Sequence, residues 1–159
     1  GISVGLIPVM SYNYGARNYR RLLGMTKFVA RINLIIGVLI FLFLHFFGNL
    51  AIDIFLNKES SRVMSMAQSG LRIFSFVFLV NGLNILITSF FTSIGNALGS
   101  IVVAMLRGVV FIALGIMILP PILGEQGVWL TIASAEFLTF FVAAILFAST
   151  IKRLKKRDE

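Results

Sequence analysis

Apolar and polar positions in this chain fall into long blocks rather than alternating every few residues. Residues 32–52 carry no formal charge and are rich in Leu, Ile and Phe. A helix crosses the hydrocarbon core of a bilayer with about 20 mostly apolar residues, so this block predicts one crossing. Residues 73–106 are also uncharged and too long for one straight crossing. They divide at Thr92, Ser93, Gly95, Asn96, Gly99 and Ser100, a cluster of turn formers, which places a helix end near Phe91 and a new start near Ile101. Pro120-Pro121 is expected to stop that second helix at Leu119 by removing backbone donors. After Gly124-Glu125-Gln126-Gly127 comes a last apolar block. The expected spans are residues 31–52, 72–91, 101–119 and 128–151. Residues 1–12 are apolar but too few to cross. They start without an initiator Met or a charged leader region and are read as the end of a helix that begins upstream, which makes the chain a fragment.

The scarce charges orient these blocks. Arg17, Arg20, Arg21, Lys27 and Arg31 precede the first full span, in what reads as a basic cytoplasmic loop over residues 13–30, closing with Arg31. Lys152, Arg153, Lys155, Lys156 and Arg157 follow the last span in a basic tail, residues 152–159. Four crossings put both segments on one side. The loop between the first two spans balances Lys58 and Arg62 against Asp53 and Glu59, and the other outer loop has only Glu125. Lys and Arg concentrate in cytoplasmic loops, so the basic segments are assigned to the cytoplasm. Tyr12, Tyr14 and Tyr19 then fall near the inner interface and Trp129 near the outer one.

Composition agrees. The chain is 58% hydrophobic and 13% charged, with a mean hydropathy of +0.99, against about 45–50% apolar and about 25% charged in soluble domains. A soluble or disordered chain is excluded. The fold class is all-α integral membrane, a polytopic helical bundle. A net charge of +8 is used up in the topology signals, so nucleic acid is not an expected partner. With no cysteine and one histidine, His45, thiolate and multi-histidine metal sites are ruled out. No nucleophile–base pair, paired carboxylates or phosphate-cradling Gly loop is present, so no catalytic residue, metal or cofactor is assigned.

Polar residues inside the spans carry the remaining information. Glu136 lies eight residues into the last span, roughly 12 Å along the axis. A charge near mid-membrane costs about 2.5–3.5 kcal/mol on insertion scales and normally faces a bundle interior or a watery cavity. It reads either as a proton- or cation-responsive carboxylate or as a structural clamp to a neighbouring helix. Arg107 lies six residues into its span, and its long stem can carry the charge to the headgroups. Asn81 and Asn84, three apart, share a helix face, where they line a polar cavity or hydrogen-bond across helices. Asn33 is the other strongly polar candidate for that cavity. His45 reads as interfacial.

Two stretches resemble the MATE (multidrug and toxic compound extrusion) family. One is Gly5-Leu-Ile-Pro8-Val-Met-Ser-Tyr-Asn13-Tyr-Gly15-Ala16 followed by Arg20 and Arg21, similar to the signature that closes the family's eighth helix. The other is Gly127-Val128-Trp129 followed by Ala135-Glu136, similar to the opening of its twelfth. The resemblance covers nearly the whole chain. It implies part of the C-lobe of a twelve-helix MATE-like fold, from a prokaryotic member, in which Pro8, Asn13, Gly15, Ala16, Gly127 and Trp129 are structural and Gly15 lets the chain leave its helix. It also implies a multi-pass protein of the plasma (inner) membrane that exports small organic, often cationic, substrates by antiport. The coupling ion would be Na+ or H+, and the missing N-terminal lobe would be the partner. The family's acid on helix 10 is matched here by Asn81, which shifts ion coupling toward the other lobe and leaves Glu136 as the one deep acid. A flippase for lipid or polysaccharide and a non-transporting assembly subunit are the alternatives; the first tends to need several cationic side chains facing its cavity.

Overall fold

In the computed structural model, residues 1–55 and 61–156 are described. The expected outer loop around Lys58 and Glu59, and the end of the basic tail, lie outside them. All regular structure among the described residues is helical: α1 (Ile2–Gly5), α2 (Ile7–Gly15), α3 (Tyr19–Phe55), α4 (Ser61–Ser75), α5 (Val77–Ser93), α6 (Ala97–Met105), a π-helical turn (Leu106–Val110), α7 (Phe111–Leu123) and α8 (Glu125–Lys155).

Local chemistry sets the breaks. Pro8, in the first turn of α2, has no N–H to offer the Val4 carbonyl, which separates α1 from α2. Gly15 was expected to supply the exit from α2, but it is Arg17 that takes the left-handed conformation, at φ 56°. Asn18 then caps the next helix by accepting from the Arg21 amide at 3.1 Å. The basic loop assigned to residues 13–30 is consequently mostly helix, open only at residues 16–18. Its charges disguise an apolar stripe: Leu22, Leu23, Thr26 and Val29 are all buried, a helical spacing with the basic residues on the other side. At about 1.5 Å per residue, the 37 residues of α3 reach well beyond a bilayer core, so its first turns extend the bundle past the hydrocarbon.

Between α4 and α5 the chain bends by 44°. There the Ser75 hydroxyl donates to the Arg72 carbonyl at 2.7 Å, a back-bond that bends helices. The turn from α5 to α6 is tighter than expected. Gly95 sits at φ 71° and the Asn96 side chain accepts from the Gly99 amide at 3.0 Å, so residues 94–96 suffice. Pro120 and Pro121 do not stop α7 either; it continues through both to Leu123 and ends where Gly124 turns at φ 60°. The prolines forfeit only bonds to two carbonyls near the helix end, and the α7–α8 hairpin is the most extensive helix contact in the bundle. Gly127 makes that contact possible, since any Cβ there would run into the Leu119 carbonyl and lie 2.7 Å from the Pro120 nitrogen.

Helix α5 is the axis of the molecule, packed against α1, α2, α3, α4, α6 and α8. The core around it joins Met10, Leu22, Val29, Phe90, Val103 and Ala143. The outward faces are apolar, with Phe46, Met117, Phe141 and Ile145 among the most exposed side chains. Among the described residues three helices are long and apolar enough to cross a membrane, and the bent α4–α5 pair makes a fourth crossing if counted as one. The protein is a multi-pass helical membrane protein.

Candidate functional site

Four polar side chains from three elements converge midway along the bundle. Glu136 projects from α8 into the interior and is 9% exposed. Asn84, fully buried on α5, donates its amide to the Glu136 carboxylate Oε2 at 2.7 Å and to the Glu136 carbonyl at 2.9 Å. A single side chain thus holds both the backbone and the head group of the acid. On the opposite side of the carboxylate, Arg107 places its Nε 3.6 Å from Oε1. The same guanidinium donates through Nη1 to Asn81 Oδ1 at 3.4 Å, at the loose end of hydrogen-bond geometry.

Arg107 therefore does not carry its charge out to the headgroups as expected. Its backbone lies in the π-helical turn, where an extra residue per turn rotates the side chain relative to a regular helix, and such turns recur at functional sites. Its side chain, 35% exposed, also borders a groove of about 310 Å³ lined by Thr88, Ser89, Thr92 and Gly108, with Val4 and Ile7 across from them. Glu136 thus faces the interior on one side and, through Arg107, an opening on the other.

Two buried oxygens beside the cluster have no hydrogen-bond partner among the described residues, Asn84 Oδ1 and Thr139 Oγ1. Thr139 stands one turn after Glu136 on α8. Buried polar groups are nearly always paired, so these oxygens mark a place where the interior is polar beyond what its own side chains satisfy.

The remaining sequence candidates separate from this cluster. Asn81 and Asn84 do share a face, and both hydrogen-bond across helices, to the π turn and to α8. Asn33 instead donates to the Gly82 carbonyl at 3.0 Å and to the Ser3 hydroxyl at 2.9 Å, tying α3 to α5 and α1. Gly82 is two residues from Asn84, about 200° round the helix, so Asn33 lies on the far side of α5. Asn13 is buried and donates to the Val9 carbonyl at 2.8 Å and toward Met25 of α3, pinning the end of α2; Ala16 closes that helix with its N–H on the Tyr12 carbonyl at 2.9 Å. Trp129 packs its indole against Gly70 of α4. His45 is exposed and rests on Phe41, with ring centroids 5.3 Å apart. Sequence reasoning missed the partnership of Arg107 with Glu136. The signal was present, because intramembrane charges usually pair with one another, but the two stand on different helices. Thr139 was missed as well, since a lone Thr in a span gives no sign of being unpaired.

Among the described residues no three His, Cys, Asp or Glu side chains group as metal ligands. What the arrangement offers chemically is a carboxylate with one tight neutral donor, one loose cationic neighbour and spare oxygen acceptors beside it.

No curated protein matches the chain. Two solved structures share its fold. One is an inward-facing conformation of a multidrug resistance MATE family transporter of the MOP superfamily, with a TM-score of 0.89 at 21% identity, over 98% of this chain and 36% of that one. The other is an outward-facing conformation described in the same terms, with a TM-score of 0.89 at 22% identity, over 98% and 35%. The chain spans about a third of the length of these relatives. Residues 1–117 match the MatE family model, a stretch that holds α1 to α6, the π turn and half of α7. The chain belongs to the MatE family.

Proposed function

We propose that this chain forms most of one lobe of a secondary active exporter, in which entry of Na+ or H+ drives export of small organic, often cationic, compounds. The other lobe would be supplied by the same protein. The basic ends of α3 and α8 would face the cytoplasm across the plasma (inner) membrane, following the distribution of Lys and Arg. Alternating access in such transporters is largely a rocking of one repeat against the other around a central site. The equal fit of this chain to an inward-facing and an outward-facing relative supports a lobe that moves as one body.

The observation that carries the reading is the Glu136 cluster. Glu136 is the acid within the spanning part of α8, and its cationic neighbour is held at 3.6 Å rather than in a close bidentate pair. An arriving proton or sodium ion would take over the role of Arg107 at the carboxylate, while Asn84 keeps the head group oriented. Because Arg107 belongs to the turn joining α6 to α7, its release would loosen that joint against α5 and α8. A flippase for anionic lipid or polysaccharide calls for several basic side chains in the cavity; the groove beside Arg107 has that one alone among its lining residues.

The test is Glu136→Gln in the protein reconstituted into liposomes, with uptake of a fluorescent organic cation followed under imposed Na+ or pH gradients. Gln can still accept from Asn84, so the fold is preserved. Transport that loses its dependence on the gradient supports the coupling role. Wild-type gradient dependence in the variant leaves Glu136 as a clamp between α5 and α8 and refutes it.

A further inference from the structure

A second feature begins about one turn beyond the Glu136 cluster, along the seam of α5 and α8 toward the basic end of the bundle. Helices α3 and α8 both pack firmly on α5 but touch each other little, leaving a slot whose floor is α5. Ala30, Leu83, Ile87, Phe140, Phe147 and Ile151 line it, and Lys27 of α3 and Lys155 of α8 border it toward the basic ends of those helices. Both lysines are exposed, and neither has an acidic partner among the described residues.

Its dimensions identify the occupant. From Phe140 to Ile151 the slot follows α8 for about 16 Å, close to half of a hydrocarbon core of about 30 Å. It is therefore one leaflet deep, with the lysines at headgroup level. A volume of about 320 Å³ spread over that length gives a cross-section of about 20 Å², suited to one extended acyl chain. A helix, about 10–12 Å across, does not fit. Apolar lining alone would not select a lipid, because bilayer lipid is as apolar as the slot. The selection comes from two lysines on different helices bordering the same slot, the kind of basic pocket between spanning helices that holds anionic headgroups.

We infer that the slot between α3, α5 and α8 is a binding site for an anionic phospholipid of the leaflet at the basic end of the bundle, one acyl chain in the slot and the phosphate between Lys27 and Lys155. The bound lipid bridges α3 and α8, which otherwise touch each other little. The site stands independently of whether Glu136 couples transport to an ion.

Native mass spectrometry of the protein in mild detergent, titrated with dioleoyl phosphatidylglycerol or dioleoyl phosphatidylcholine, tests the site. Phosphatidylglycerol is expected to be retained in one-to-one stoichiometry at least tenfold more tightly than phosphatidylcholine. Lys27→Gln and Lys155→Gln should each weaken it roughly fivefold, while Lys152→Gln, on α8 but outside the slot, leaves it unchanged. Ala144 of α8 also lines the slot, and Ala144→Phe, which fills it without removing a charge, should abolish the tight site. Equal retention of the two lipids overturns the inference, as does retention that survives the double lysine variant. Loss on lysine substitution combined with normal binding in Ala144→Phe shows headgroup attraction without the slot and overturns it too. So does absence of any tight lipid, the outcome if another part of the protein covers the slot.

Discussion

Glu136 has two partners, and the structure predicts which one matters for stability. Asn84→Ala removes two hydrogen bonds from a fully buried amide, one of them to a carboxylate at 2.7 Å. Interhelical hydrogen bonds in membranes average about 0.6 kcal/mol and reach about 1.7 kcal/mol, and bonds to a charged acceptor belong at the upper end. Two of them, together with the packing lost on truncation, come to about 2–3 kcal/mol, even after removing the unpaired Asn84 Oδ1. Arg107→Gln breaks an ion pair at 3.6 Å whose basic partner is 35% exposed. Pairs of that kind are worth about 0–1 kcal/mol. The competing argument is that removing one partner of a buried pair strands the other charge at a cost of about 3–5 kcal/mol. The geometry decides against it here, because Glu136 keeps its shorter bond to Asn84 when Arg107 is neutralised.

The ordering can be measured by reversible SDS unfolding or steric trapping in bicelles, comparing Asn84→Ala, Arg107→Gln, Glu136→Ala and the double variant of Asn84→Ala with Glu136→Ala, since Ala, unlike Gln, leaves Asn84 no side-chain acceptor at position 136. Asn84→Ala should cost about 2–3 kcal/mol and Arg107→Gln less than about 1 kcal/mol. The double-variant cycle should give a coupling of about 1–2 kcal/mol between Asn84 and Glu136. A larger loss from Arg107→Gln than from Asn84→Ala refutes the reasoning. A coupling below about 0.3 kcal/mol does the same, since that is the additivity expected of sites that do not interact.

Two further outcomes follow from packing. Thr139→Val replaces a buried hydroxyl that has no partner with a methyl; unpaired burial costs about 1–3 kcal/mol in proteins, so the variant should unfold at a higher temperature in detergent, and a lower one shows that the hydroxyl is bonded after all. Gly127→Ala must force α7 away from α8 at the Leu119 carbonyl and should lose about 1–3 kcal/mol, whereas Gly24→Ala, with open space around it, should be neutral or gain up to about 1 kcal/mol. Equal melting temperatures for the two alanine variants would show that the hairpin contact at Gly127 is not tight.

What the sequence made legible, and what it did not, divides by the range of the interaction. The all-helical, membrane-spanning character rests on composition and block length, which no tertiary contact can overturn, because a bilayer admits few ways to satisfy a buried backbone. The misreadings are local patterns outvoted by packing. Arg20, Arg21 and Lys27 made residues 19–30 look like a loop, while the stripe of Leu22, Leu23, Thr26 and Val29 was recording a helix that packs on the core. Pro120 and Pro121 read as a stop on their intrinsic penalty alone, yet α7 runs through both, held by the α7–α8 contact. At the site, the spacing of Asn81 and Asn84 told which face they share but not what that face meets. The meeting of Asn84 with Glu136 and of Arg107 with both Asn81 and Glu136 spans up to 52 residues of sequence and depends on a π turn that composition does not announce. Polar residues in a span are thus legible one at a time as exceptions. Their pairing is a property of helix rotation, and a single extra residue in the Leu106–Val110 turn is enough to set it.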